Sequence, residues 1–217
     1  MEGLRRMMST PGALLIAWLA IVTAPASAQT PPYITAKPDA VARVFGADVT
    51  KRIFSNAYTP ARHQAVLRSQ KAIPGFDCPP DPQISLAEVI PYPVQQGTPS
   101  WIERYVVACT PRTMRNFLLV LEGDQPRVIE MLPGATNTDP LLQRDALKGG
   151  YTAIATVAPK DCDKPVVADT RLTSKLERGA PWTERWVFDL CGAKAEVEMT
   201  FTPSASSGTT WSASLVK

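Results

Sequence analysis

Gly97-Thr98-Pro99-Ser100-Trp101-Ile102-Glu103-Arg104-Tyr105-Val106-Val107-Ala108-Cys109 and Gly179-Ala180-Pro181-Trp182-Thr183-Glu184-Arg185-Trp186-Val187-Phe188-Asp189-Leu190-Cys191 are two versions of one phrase. Each reads Gly-x-Pro, then Trp-x-Glu-Arg, an aromatic and Val, and closes on Cys, with a one-residue gap before Trp and another before Cys. Agreement in order at so many uncommon residue types marks an internal duplication, which has to be settled before elements are assigned. The upstream context repeats too. Cys78 stands 31 positions before Cys109 and Cys162 stands 29 before Cys191, each behind an aspartate, Asp77 or Asp161.

Working outward, Thr59-Pro60 opens a helix over Ala61 to Ala72 and Asp139-Pro140 opens another over Leu141 to Lys148, with Gly149-Gly150 as its stop. A capping side chain followed by proline at the first helical position is a helix-start signal. Beyond the second cysteine of each copy lie two strand-like runs: Met114 to Leu121 and Arg127 to Leu132, then Ala195 to Thr202 and Thr209 to Val216. Each copy therefore reads helix, Cys, strand, strand ending at Cys, strand, strand, over 59–133 and 138–217. The runs Phe117 to Leu121 and Arg127 to Leu132 are apolar on both faces and are expected to be central. Ahead of the copies, 29–58 holds an extended leader and one more helix, Pro38 to Phe54, whose Val41, Val44, Phe45, Val49 and Ile53 recur at near-helical spacing and which Gly46 weakens. The fold class implied is α+β: two tandem modules, each a helix on a four-stranded antiparallel sheet with one internal disulfide.

Residues 1–28 read as a signal peptide. Arg5 and Arg6 precede an apolar run from Ala13 to Val22, then Pro25 and the small-residue site Ala26-Ser27-Ala28, which places cleavage after Ala28. The run is too short to cross roughly 30 Å of hydrocarbon comfortably, and no later stretch approaches that length. The expected location is periplasmic or secreted. Four cysteines in an exported chain argue for disulfides. Three connectivities are possible, and the duplication favours Cys78 with Cys109 and Cys162 with Cys191. If partners in copy one sum to 187 and in copy two to 353, both chain reversals fall at turn-like places and each cysteine pair faces across two strands. The tract Pro79-Pro80-Asp81-Pro82 cannot hold a regular ladder, so pairing there must be irregular. Closing such a loop restricts the unfolded chain by about 3.5 kcal/mol per bridge in the loop-entropy model.

The layout of one helix followed by four antiparallel strands resembles the cystatin-like arrangement, which also occurs in tandem in exported proteins. Inhibitors of that family carry Gln-x-Val-x-Gly between two strands. Here Tyr92-Pro93-Val94-Gln95-Gln96-Gly97 lacks the first Gln and displaces the Gly, so inhibitory function is not carried over.

Strand alternation sends Trp101, Glu103, Tyr105 and Val107 to one face and Ile102, Arg104 and Val106 to the other; Trp182, Glu184, Trp186 and Phe188 follow the first pattern. Trp101, Glu103, Arg104, Trp182, Glu184 and Arg185 are the candidate binding residues, an aromatic platform with an acidic partner for a glycan or an envelope protein. The competing reading packs both tryptophans under the module's helix and pairs Glu with Arg across strands at the rim, and it is favoured because a feature kept in both copies serves what each copy needs to fold.

The 217 residues, 45% hydrophobic and 20% charged, fit an ordinary folded chain, and 23 basic against 20 acidic side chains, net +3, lack the basic patch of a nucleic-acid binder. No Cys-x-x-Cys and a single histidine, His63, argue against zinc. There is no Walker loop or dinucleotide fingerprint, so no cofactor is expected, and no catalytic residue is assigned. The function expected is a non-catalytic secreted or periplasmic binding or envelope-assembly module. A small exported hydrolase using Glu103 and Glu184 as paired carboxylates is the alternative, with a protease-inhibitor-like module behind it.

Overall fold

The computed structural model describes residues 38–55, 59–92, 98–122, 125–204 and 208–217; the signal-peptide and leader readings and the stretch 93–97 lie outside them. In chain order the elements are α1 (Pro38–Ile53), α2 (Thr59–Ala72), β1 (Ile84–Pro91), β2 (Ser100–Val107), β3 (Thr113–Glu122) and β4 (Gln125–Glu130). A second set follows: α3 (Pro140–Ile154), β5 (Val166–Leu172), β6 (Trp182–Leu190), β7 (Ala193–Pro203) and β8 (Thr209–Leu215). The sheets run β1-β2-β3-β4 and β5-β6-β7-β8, all antiparallel, so the chain is an α+β protein of two tandem modules. Disulfides join Cys78 to Cys109 and Cys162 to Cys191, one in each module. No helix among the described residues is long and apolar enough to cross a membrane.

One face of each sheet makes a core. In the first, Trp101, Tyr105, Phe117 and Leu119 pack with Val41 and Ile53 of α1 and Val66 of α2. The second joins Trp182, Trp186, Phe188 and Phe201 to Ala146 and Ile154 of α3. Trp101 meets Phe45 of α1 edge-on at 6.3 Å and Trp182 stacks on Phe201 at 5.1 Å. Gly46 kinks α1, with φ 78, and Val44 is left exposed although it falls on the helical apolar spacing.

Four expectations are corrected. The cysteine register, a sum of 187, holds only at the isolated Asp77–Thr110 bridge; the ladder proper begins at Ile84 opposite Val107. Between these points the first strand advances farther than its partner, because the amide-less Pro79, Pro80 and Pro82 cannot pair and are looped out. In the second module likewise, Val166 opposes Asp189, off the expected sum of 353. β4 is an edge strand, not a central one, since the chain leaves the sheet after Glu130.

The last correction concerns Gly149-Gly150, which does not stop α3; the helix runs through to Ile154. A Cβ on Gly149 would lie 2.1 Å from Trp211 Cζ3, and one on Gly150 would lie 2.7 Å from Phe188 Cζ. The glycines let α3 lie close on its sheet. N-capping matches the sequence signal: Asp139 accepts hydrogen bonds from the amides of Leu141 and Leu142, with Pro140 next.

Segment 131–136 stitches the sheets together. Met131 N donates to Asn116 O and Gly134 N to Met114 O on β3, while Ala135 N donates to Thr170 O on β5. Asn116 Nδ2 holds the carbonyls of Leu132 and Gly134 at 2.7 and 2.9 Å, and Thr170 Oγ1 reaches that of Pro133 at 2.5 Å. Gly134 has φ 88, and a Cβ there would fall 2.3 Å from Thr170 O. Both the conformation and the space demand glycine. Gly134→Ala is therefore expected to destabilise the protein by more than about 2 kcal/mol, through αL strain and collision with backbone; denaturant unfolding measures it, and an unchanged midpoint would refute this role.

Candidate functional site

Trp101, Glu103 and Tyr105 point the same way along β2, and this alternation brings two donors onto one carboxylate. Trp101 Nε1 donates to Glu103 Oε1 at 2.8 Å and Tyr105 Oη to Glu103 Oε2 at 2.5 Å. Arg62 of α2 adds an ion pair at 3.0 Å. Glu103 is fully buried, not at a rim. Burial pushes its carboxyl above the usual carboxylate range, against the opposing pull of Arg62, Tyr105 and Trp101, and burial beside Glu103 raises the Tyr105 phenol as well.

The second copy repeats the device with a different anchor. Trp182 Nε1 and Trp186 Nε1 donate to Glu184 at 3.1 and 2.9 Å. The remaining donors come from the linker: Thr136 Oγ1 to Oε2 and the Asn137 amide to Oε1, both at 2.8 Å. Arg104 reaches the same linker from the opposite face of β2, donating to Thr136 O at 2.6 Å and to Glu88 at 3.0 Å. Arg185 bonds Glu196 at 2.9 Å with Glu198 at 3.6 Å, across to β7. The arginines thus do pair with carboxylates across strands, but with other glutamates than those of the repeated phrase.

Trp101 and Glu103 close the first module's core and Trp182 and Glu184 the second's, while Arg104 and Arg185 lie on the opposite strand faces; Arg104 and Glu184 meet at Thr136. Trp101 and Trp182 are 0% and 8% exposed, so neither ring lies open as a platform. Both carboxylates are at 0% and are saturated by donors. His63, on α2, stands 3.9 Å from Asp81 at the surface. Among the described residues no group of three or more His, Cys, Asp or Glu side chains is placed to hold a metal ion.

A cleft of about 510 Å³ lies where the modules meet, with no residue of the repeated phrase in its walls. Its lining includes Ile73 at the end of α2, Ile129 and Met131 beside the edge of the first sheet, Leu147 and Tyr151 of α3, and Val167 of β5. Polar groups are few. Gln143 is committed to the Leu132 amide at 2.9 Å and the Thr138 carbonyl at 3.2 Å, whereas Arg144 is exposed at the rim. Tyr151 rests edge-on against Phe188 and donates weakly to Pro165 O at 3.4 Å. Sequence reasoning missed this site because it is assembled from segments that are far apart in the chain and carry no motif.

Two outcomes test the carboxylate clamps. Glu184→Leu strands two indoles, a hydroxyl and an amide in the interior and is expected to cost at least about 3 kcal/mol, whereas Glu184→Gln, keeping one acceptor oxygen, costs less. For Glu103, a raised folded pKa means a contribution fully present below the ordinary value of 4.5 and lost as pH rises through the folded value. Denaturation from pH 4 to 8 should therefore show the parent losing stability relative to Glu103→Gln as pH rises, and a relative gain would contradict the assignment. No protein-family model, curated protein or solved structure matches this chain.

Proposed function

We propose that the chain is a non-catalytic exported module, periplasmic or secreted, that binds a small, mainly apolar ligand with one hydrogen-bonding end in the cleft between its halves. The cleft carries the reading. Its volume falls within the range of small-molecule sites, and apolar walls with a few polar groups are the composition such sites have. Arg144 at the rim and the Tyr151 hydroxyl are the groups that would meet the ligand's polar end. An envelope-assembly role remains part of the reading, the ligand then being an apolar side chain presented by a partner. Export is supported by two disulfides, which oxidising compartments maintain, and by the signal-like start of the sequence.

Saturation of both carboxylates favours binding over hydrolysis. A general acid or nucleophile must reach its substrate, and Glu103 and Glu184 reach only fixed donors of their own protein.

The test uses the neutral apolar fluorophore N-phenyl-1-naphthylamine, titrated into the parent and into Leu147→Lys. Leu147 lines the cleft and is half-buried, so the variant is expected to stay folded, as circular dichroism would check. Saturable binding weakened at least about tenfold in the variant supports the reading, since a lysine in an apolar wall costs more than 1.4 kcal/mol. Equal binding by both proteins overturns the cleft. Turnover of chromogenic glycosides that is lost in Glu103→Gln and Glu184→Gln would overturn the non-catalytic reading.

A further inference from the structure

The outer edge of β8 carries none of the devices that blunt the other edge strands. A sheet edge presents unpaired N–H and C=O groups, and folded proteins protect it with bulges, prolines, charges or a covering segment. β1 has a bulge between Leu86 and Glu88 and ends on Pro91. β4 contains Pro126, Arg127 and Glu130. β5 has a bulge between Val167 and Asp169, carries Asp169 and Arg171, and is covered where Ala135 N donates to Thr170 O. β8 reads Thr209-Thr210-Trp211-Ser212-Ala213-Ser214-Leu215, with no proline, no charge and an unbroken register against β7.

Two bonds fix the phase of that ladder: Val216 N donates to Glu196 O and Ser204 N to Gly208 O. Bonded and non-bonded pairs alternate along an antiparallel ladder. Thr210, Ser212 and Ser214 therefore turn their main-chain groups toward β7, and Thr209, Trp211, Ala213 and Leu215 turn theirs outward. Among the described residues no main-chain partner meets those outward groups, since β7 is the only neighbour of β8. Side chains alternate as well. Thr210, Ser212 and Ser214 are exposed, while Trp211, Ala213 and Leu215 lie partly buried against the second core, so an apolar flank stays half-open along the edge.

We propose that β8 pairs antiparallel with β8 of a second copy of this chain, joining two sheets into one across a two-fold axis at Ser212. This register sets every outward residue opposite another: Trp211 opposite Ala213 of the second copy, and Thr209 opposite its Leu215. The strand suits its own copy. Carrying no charge, it brings no like charges together; a large ring lies opposite a methyl on the α3 side; and Ser212 meets Ser212, and Thr210 meets Ser214, on the other side, where hydroxyl pairs stabilise neighbouring strands. Covering the half-open flank adds a hydrophobic contribution. A two-fold contact closes on itself, so the product is a dimer and not a fibre. The edge shares no residue with the junction cleft, and the pairing is independent of ligand binding there.

Sedimentation velocity of the disulfide-bonded chain tests this from about 5 to about 200 μM, because a pair of short strands lies at the small end of specific interfaces. The parent is expected to reach twice the monomer mass in that range. Ala213→Pro removes an outward N–H and leaves the β7 ladder intact, and Ser212→Lys places two ammonium groups face to face; each should weaken association at least about tenfold with the circular dichroism of the parent. Ser212 is exposed, so Ser212→Lys decides even if Ala213→Pro does not fold. Ser212→Cys should cross-link two chains on mild oxidation, since facing residues of a non-bonded pair stand about 4.5 Å apart at Cα, whereas Ser214→Cys should not. A parent that stays monomeric throughout leaves the edge to a strand of another protein and overturns the pairing. Association of Ser212→Lys as tight as that of the parent overturns it too, as does equal cross-linking of the two cysteine variants.

Discussion

A carboxylate removed from water must be met by donors fixed in advance, and in this protein a single strand provides them. Residues two apart on a strand share a face, so Trp-x-Glu-x-Tyr and Trp-x-Glu-x-Trp set a nitrogen or oxygen donor on each side of a glutamate. Two donors leave each carboxylate short of satisfaction. The rest must come from another element, and whichever element supplies it becomes attached to the sheet: α2 through Arg62 in the first module, and the inter-module linker through Thr136 and Asn137 in the second. Because an unpaired buried charge costs several kcal/mol, the requirement is selective for one arrangement of those segments. Each module's core and its attachment to what precedes it rest on the same buried oxygen atoms.

Duplication made the two halves alike, and the linker makes them one protein. Thr136 is held by its carbonyl from Arg104 and by its hydroxyl against Glu184, so the arginine of the first phrase and the glutamate of the second act on one residue. Neither could do so in an isolated copy. The halves also differ at the turn after the second strand: β6 and β7 reverse through the two residues Cys191 and Gly192, both at positive φ, as a tight hairpin matching strand twist requires, whereas β2 and β3 are separated by a longer connection. Each copy has kept its core and altered its edges.

Legibility in the sequence follows the range of the interactions. The order of elements along the chain, the helix starts at Thr59-Pro60 and Asp139-Pro140, and the disulfide pairing were readable because each is written within a few residues or by direct repetition. Register was readable only beside the cysteines of the first copy, where three prolines then consume chain without forming pairs, and in the second copy the ladder is offset from the expected pairing. The Gly149-Gly150 pair misled because a glycine signals both a helix stop and a close packing contact; Trp211 and Phe188, which decide between them, lie some forty to sixty residues farther along. The burial of Glu103 and Glu184 was hidden by the usual preference of charged side chains for the surface. A glutamate flanked at both i−2 and i+2 by Trp or Tyr is the local pattern that could have revealed it.

The positions that repeat and the positions that line the cleft are almost disjoint, and this separation bears on where function resides. Trp and Glu recur because each half must close its own core, and that demand leaves them enclosed and chemically spent. The junction cleft draws on the end of α2, the exit from β4, one face of α3 and the start of β5, which are not equivalent pieces of the two copies. Such a surface comes into existence only once two modules are joined, and it is formed once per chain. Val167, Leu132 and Leu147 of its lining also pack in the second core, whereas Arg144 and Tyr151 are exposed and can be adjusted to a ligand without loss of either core. A tandem duplication of this kind thus separates stability, held twice, from recognition, held once, and the singular surface at the seam is the place to look for what the protein binds.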